Sequence, residues 1–88
     1  MDAAKKKQFK SDAHSLKPVV MIGQGGLTTA VLAEVELALD SHELIKVRIR
    51  AERDDRKAIC EEICTATKAE LIQSIGQIIV LYRVNPKK

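Results

Sequence analysis

A glycine-rich segment is the first feature of the sequence whose residue types could do chemistry. Gly23-Gln24-Gly25-Gly26 lies between an apolar run and a predicted helix. Glycines let a backbone approach a ligand closely, and the N-terminus of a helix offers free N–H groups and the positive end of its dipole. The segment therefore suits a phosphate group, although a plain tight turn between strand and helix explains it equally well. It lacks the lysine and hydroxyl of a P-loop and the third glycine of a dinucleotide site, so no nucleotide cofactor is expected.

Three cations at alternating positions are the second feature. Lys46, Arg48 and Arg50 alternate with three aliphatic residues. Because side chains alternate across a strand, the cations share one face and recur about every 6.5–7 Å, where they can meet successive phosphates. A solvated strand face is the competing interpretation. Strands are usually poor in lysine, and ordinary surfaces mix charge signs, so nucleic-acid binding is favoured.

The other reactive residue types form no catalytic or metal site that the sequence can identify. His14 and His42 are isolated, and His42 suits the C-terminal end of the acidic helix that precedes it. Cys60 and Cys64 lack a third ligand, and their spacing beside aliphatic residues indicates helix packing. The sequence therefore predicts no enzyme activity, no metal and no cofactor.

Charge is unevenly distributed along a chain long enough for one domain. The 88 residues carry a net charge of +3, and we expect a single domain, 1–88, whose ends 1–7 and 85–88 are frayed. Five lysines and two aspartates lie in residues 1–26, whereas Thr28–Glu43 holds four acids and no Lys or Arg. No apolar run approaches the roughly 20 residues of a membrane span, and no signal peptide is visible. With two cysteines, the expected location is the cytoplasm, and a monomer is the simplest state.

The hydrophobic pattern predicts seven elements in the order α-β-α-β-α-β-β. Their predicted positions are a helix over 3–16, a strand at Val19–Ile22, a helix from Thr28 to Glu43, a strand at Leu44–Arg50, a helix from Glu52 to about Ala66, and strands at Leu71–Ile75 and Ile78–Val84. Short connections imply parallel pairing of the early strands, and the last two form a hairpin. The predicted fold is an α/β open sandwich with a mixed four-stranded sheet.

Two finer expectations concern the positions of strands and the kind of ligand. Val19–Ile22 is apolar on both faces, which suits a central strand, whereas Leu44–Arg50 has one open face and suits the sheet edge. Phe9 and Tyr82 are the only aromatic residues. Readers of splayed single-stranded bases normally use several stacking rings, so recognition of backbone and shape in structured RNA is favoured.

Several segments together resemble a known family. The resemblance rests on Leu16-Lys17-Pro18-Val19-Val20, Ile22-Gly23 with Gly26-Leu27, Glu43-Leu44-Ile45-Lys46-Val47, and Gly76 with Val80-Leu81-Tyr82-Arg83. They closely resemble the YhbY family, the stand-alone bacterial relatives of the CRM domain (chloroplast RNA splicing and ribosome maturation). The resemblance covers about Phe9 to Arg83.

The resemblance implies a fold, a function and a set of site residues. The fold is similar to the C-terminal domain of translation initiation factor 3, and bacterial members associate with precursors of the large ribosomal subunit. The implied RNA contact is the Gly-x-x-Gly loop with neighbouring cations, which by position are Gly23, Gln24, Gly25, Gly26, Lys17, Lys46 and Arg48. Arg83 matches the family's terminal Leu-Tyr-Arg and could equally be structural. Gln24 and Gly25 supply no charge to the loop, so modest, salt-sensitive affinity is expected.

Three functional hypotheses follow from these observations. The leading one is binding of structured RNA during maturation of the large ribosomal subunit, through the loop and the face of Lys46, Arg48 and Arg50. The alternative is a protein-interaction module whose acidic helix, Thr28–Glu43, docks a basic ribosomal or assembly protein. The third, a small enzyme that pairs a histidine with a carboxylate, has the least support.

Overall fold

The computed structural model describes residues 2–23 and 25–84 and contains the seven expected elements. Their bounds are α1 (Ala3–Ala13), β1 (Pro18–Ile22), α2 (Thr29–His42), β2 (Leu44–Ile49), α3 (Arg53–Thr67), β3 (Glu70–Ile75) and β4 (Ile78–Tyr82). The α/β class and the mixed sheet are confirmed. Residues 3–7, expected to be frayed, form the first turns of α1, and Asp2 caps them by accepting a 2.8 Å hydrogen bond from the Lys5 N–H. The same expectation for 85–88 concerns residues outside the described part of the chain.

The strands form one sheet in the order β1-β2-β4-β3. β1 runs parallel to β2, and β4 pairs antiparallel with both β2 and β3, which confirms the parallel early strands and the final hairpin. Two expectations about strand position are wrong. β1 lies at an edge, and β2 lies in the interior of the sheet. Val19 and Met21 are 51% and 53% exposed, so the apolar character of β1 does not reflect cover on both faces.

The main core lies between one face of the sheet and helices α2 and α3. The alternation in β2 places Ile45, Val47 and Ile49 in this core, each at most 1% exposed. Val35 and Leu39, four residues apart, bury one side of α2 against them. The three cations of the strand therefore lie on the other face of the sheet or at its end, as the alternation predicts.

Helix α1 covers part of the opposite face of the sheet through a smaller cluster. Ala13 packs with Ile72 and Val80, and Phe9 and Tyr82 border this cluster. The rings of Phe9 and Tyr82 stack with their centroids 4.2 Å apart. Both aromatic side chains of the protein are thus used to attach α1 to the sheet.

Candidate nucleic-acid interface

The glycine-rich loop connects β1 to the N-terminus of α2. The Gly26 N–H donates to the Gly23 carbonyl over 3.1 Å, which closes a tight turn, and Gly26 has a φ of +76°. The Thr28 hydroxyl caps α2 by accepting a 3.2 Å hydrogen bond from the Val31 N–H. The helix therefore begins at Thr29, one residue after its predicted start, and the glycine segment forms the tight turn that was one of its two interpretations. Gln24 lies outside the described residues.

The backbone conformation requires glycine at Gly26 but not at Gly23 or Gly25. Gly23 and Gly25 have no positive φ, and a Cβ atom built at either one meets no other heavy atom within 4 Å. Neither turn geometry nor packing therefore calls for glycine there. What glycine provides at these two positions is a bare, accessible backbone.

The pairing of β1 with β2 places two arginines beside this loop. The Arg50 N–H donates to the carbonyl of Ile22, the residue before Gly23, over 2.8 Å. Arg48 lies opposite Met21 on β1, and its Nε donates to the Gln77 side chain over 3.4 Å. Both arginine side chains are exposed. Arg48, Arg50 and the N-terminus of α2 thus meet at one end of the sheet.

Lys46 belongs to the same strand but to a different part of the sheet. It lies opposite Val80 on β4, which is part of the cluster under α1, and its side chain is half-buried. Along an extended strand it is about 6.5–7 Å from Arg48. Lys46 therefore continues the line of cations away from the loop and towards α1.

Residues near the start of α3 add to this end of the sheet. Because α3 begins at Arg53, soon after the basic strand, its first turns carry Arg53 and Lys57 next to a cavity that Gly76 also lines. Asp54 and Glu61 also line this cavity and offset part of the positive charge. Neither of these two cations is among the site residues predicted from the sequence. Their place could have been inferred, since a helix that follows a strand closely must start at the end of the sheet where that strand stops.

Two of the predicted site residues lie at the other end of the sheet. Lys17 lies directly before the amino end of β1, whereas the loop follows the carboxyl end of that strand. Lys17 borders a cavity together with Leu16 and Leu44. Arg83 follows β4, which runs antiparallel to β2. The structure therefore does not bring Lys17 or Arg83 together with the Gly23–Gly26 loop.

Both terminal nitrogens of the Arg83 guanidinium make hydrogen bonds within the protein. Its Nη1 donates to the Glu36 carboxylate over 2.7 Å and to the Thr67 carbonyl over 2.8 Å, and its Nη2 donates to Asp40 over 2.8 Å. Burial alone would lower the pKa of the Arg83 guanidinium, but Glu36 and Asp40 outweigh it and raise that pKa above its ordinary value. The guanidinium thus ties α2 and the end of α3 to the chain that follows β4, which favours the structural interpretation of Arg83.

The cysteines occupy the positions expected of packing residues. Cys60 is buried in the main core, Cys64 packs against that core, and both are free thiols. The hydrogen bond from Cys60 lowers the pKa of the Cys64 thiol to about 7. The same bond raises the pKa of the Cys60 thiol, and burial and the nearby charges of Cys64 and Glu61 raise it further.

No group of three or more His, Cys, Asp or Glu side chains in residues 2–23 and 25–84 could hold a metal ion. No helix in that part of the chain is long and apolar enough to cross a membrane.

Nearly the whole chain matches the model of a known family. The family model described as the CRS1/YhbY (CRM) domain matches residues 1–83. This chain belongs to that family. The resemblance in the sequence is therefore confirmed over nearly the whole chain.

Individual relatives are also similar over most of their length. A Pseudomonas aeruginosa protein, named "Probable RNA-binding protein", is 55% identical over 83 residues, which are 93% of this chain and 80% of that protein. A Haemophilus influenzae protein, named "RNA-binding protein", is 53% identical over 92% of this chain and 84% of its own. The solution structure of a hypothetical Staphylococcus aureus protein, described as a candidate RNA-binding protein, superposes with a TM-score of 0.84 at 35% identity, covering 96% of this chain and 88% of that one. The CRM fold of this chain is thereby confirmed.

Proposed function

We propose that this CRM domain binds structured RNA through the loop end of its sheet, defined as Gly23–Gly26 with Arg48 and Arg50. The relatives' names support RNA as the ligand. The observation that carries the proposal is the pairing of β1 with β2, which brings two exposed arginines beside a bare glycine backbone and a helix N-terminus.

Each component of the loop end suits a phosphate for a separate physical reason. The N-terminus of α2 presents N–H groups and the positive end of the helix dipole. Arg48 and Arg50 can donate paired hydrogen bonds to phosphate oxygens. Gly23 and Gly25 let the RNA backbone come close to the protein backbone. Because these contacts are made to phosphate groups, we expect the affinity for RNA to fall steeply as the salt concentration rises.

The other predicted site residues take unequal parts in this proposal. Lys46 extends the cationic line from Arg48 towards α1 and is included in the interface. Gln24 is included by its place in the loop. Lys17 would contact only RNA that continues along β1 to its amino end, and Arg83 is assigned to the fold through its bonds to Glu36 and Asp40.

Charge reversal at the loop end tests the proposal. We expect Arg48→Glu/Arg50→Glu to lower affinity for a structured RNA hairpin at least about tenfold in fluorescence anisotropy, because each change removes a charge-assisted phosphate contact. The matched control is Lys5→Glu/Lys68→Glu, which reverses two exposed lysines beside Arg83 at the other end of the sheet. Circular dichroism must show both variants folded. Equal affinity of the two variants would place the interface elsewhere.

The proposed biological setting is maturation of the large ribosomal subunit, with the protein acting as a cytoplasmic monomer. The ribosomal role rests on the YhbY resemblance, and the cytoplasmic location rests on the small number of cysteines. Sucrose-gradient sedimentation of a cell extract at low and moderate salt tests it. Co-migration with free or precursor large subunits that disappears as salt rises is the expected result. A protein that stays at the top of the gradient at every salt concentration would remove the ribosomal role and leave RNA binding to be tested separately.

The alternative of protein docking through the acidic helix loses support from one observation. Glu36 and Asp40, two of the four acids in Thr28–Glu43, already bind Arg83 within the protein. A basic partner would have to compete with that guanidinium. Association with large subunits that survives nuclease treatment would favour the alternative.

A further inference from the structure

Helix α1 covers only part of its face of the sheet and leaves a groove along its side, here called the α1 groove. Its floor is apolar, made by Ala13 of α1, Val80 and Ile78 of β4 and Ile75 of β3. Ile75 is 63% exposed, and Ala13 and Val80 are buried. The groove has a volume of about 210 Å³. That is below the range of about 300–1,000 Å³ that encloses drug-sized ligands, so the groove suits one ring system.

The rim of the α1 groove is cationic and polar. Lys10 lies on α1, and His14 lies four residues later, directly after the end of that helix. Lys46 lines the groove from β2. Gln73 on β3 adds an amide that can both donate and accept hydrogen bonds. Among the described residues that line the groove, none is acidic. An apolar floor with a cationic rim complements a flat, weakly polar ring attached to an anion.

The α1 groove is continuous with the loop end of the sheet. The strand register places Met21, Arg48, Ile78 and Ile75 side by side in one row across all four strands. Met21 directly precedes Ile22 and the loop. Arg48 is thus separated from Ile75 by two strand spacings, about 10 Å. RNA held at Arg48 therefore passes the mouth of the groove.

We propose that the α1 groove binds one unpaired base of the RNA, with the phosphates beside it held by Lys10, Lys46 and Arg48. This inference rests on the proposed function. The base lies against Ile75 and Ile78, and Gln73 and His14 reach its hydrogen-bonding edge. Aliphatic side chains provide the contact because the two aromatic rings are stacked on each other under α1. The preferred ligand is therefore a helical RNA that carries a bulged or flipped nucleotide, and the phosphate contacts at the loop end position it.

Two matched RNA hairpins test the α1 groove separately from the loop end. One is a fully paired stem, and the other has the same stem with a single bulged 2-aminopurine. We expect the wild-type protein to bind the bulged hairpin more tightly and to change the 2-aminopurine fluorescence. Ile75→Thr/Ile78→Thr keeps β-branched residues in the strands but removes apolar surface from the floor. We expect it to weaken binding of the bulged hairpin about fivefold, the low end of what stacking of one base on an aromatic ring contributes, because aliphatic contacts are weaker. Binding of the paired stem should be unaffected.

A surface control and the charge variant make the outcomes distinguishable. Leu37→Gln removes a comparably exposed apolar side chain, 69% exposed, from α2, and it should bind both hairpins as wild type does. If the groove variant binds both hairpins like wild type while Arg48→Glu/Arg50→Glu loses both, the base site is wrong and the proposed function stands. If the wild-type protein binds neither hairpin, the base site and the proposed function are both wrong. A groove variant that keeps RNA binding but loses nuclease-resistant association with large subunits would assign the groove to a protein and overturn the inference.

Discussion

Replacing Arg83 by alanine should destabilise the protein without weakening its contact with RNA. The guanidinium donates hydrogen bonds of 2.7–2.8 Å to Glu36, Asp40 and the Thr67 carbonyl, and its side chain is 17% exposed. These partners belong to α2 and to the last residue of α3. Arg83→Ala removes all of these bonds at once.

The expected loss of stability can be built from the three partners. The bond to the carbonyl of the buried Thr67 should contribute about 1 kcal/mol. Glu36 and Asp40 are 41% and 59% exposed, so solvent screening limits the two ion pairs together to about 1 kcal/mol. We therefore expect Arg83→Ala to lower the free energy of unfolding by about 2 kcal/mol. Arg83→Lys should recover only part of this, because an ammonium keeps the charge but cannot span the three acceptors with a planar fork.

Urea denaturation followed by circular dichroism measures the effect. With a slope of about 1–2 kcal/mol per molar urea for a protein of this size, the midpoint should fall by about 1–2 M. The double variant Glu36→Gln/Arg83→Ala should lose less than the sum of its two single variants, because the two residues share one bond. RNA affinity, measured at a temperature where the variant is folded, should stay at the wild-type value. An Arg83→Ala protein of wild-type stability that binds RNA weakly would refute the structural role and restore Arg83 to the RNA site.

Two further predictions concern the loop and the cysteine pair. Gly25→Ala should leave stability within about 0.5 kcal/mol of wild type because its methyl group meets open space, whereas Gly26→Ala should cost about 1 kcal/mol at its positive φ. Both should weaken RNA binding in anisotropy, and an unchanged affinity of Gly25→Ala would show that the bare backbone is not a contact. Alkylation of Cys64 by iodoacetamide should rise with a midpoint near pH 7, since the thiolate reacts and its pKa is lowered by Cys60. Cys60→Ala should move that midpoint to higher pH, and an unmoved midpoint would contradict the hydrogen bond between the thiols.

Local patterns predicted the elements and their faces well. The alternation around Ile45, Val47 and Ile49 identified the core face of β2 because side-chain direction in a strand depends only on position along it. The start of the second helix at Thr28 also depends on local sequence, and the structure caps α2 with that residue.

The order of strands and the role of Arg83 could not be predicted from local patterns. β1 lies at the edge and β2 in the interior because β4 pairs with β2 on the side away from β1. No residue type in β1 indicates where β4 pairs. Met21 is apolar yet 53% exposed, so apolar character did not report burial. The partners of Arg83 lie 16 to 47 residues earlier in the chain, which is beyond any helical or strand periodicity.

The separate attachment of α1 has a consequence for the dynamics of the protein. An 11-residue helix is marginal on its own in water, and α1 is attached through the small cluster around Ala13 rather than through the main core. Local unfolding can therefore release α1 while the sheet, α2 and α3 stay folded, so its amide hydrogens should exchange earliest among the helices. Because Lys10 lies on α1, such openings would also remove one wall of the α1 groove. The rate at which α1 opens would then determine how long a nucleotide stays bound in the α1 groove.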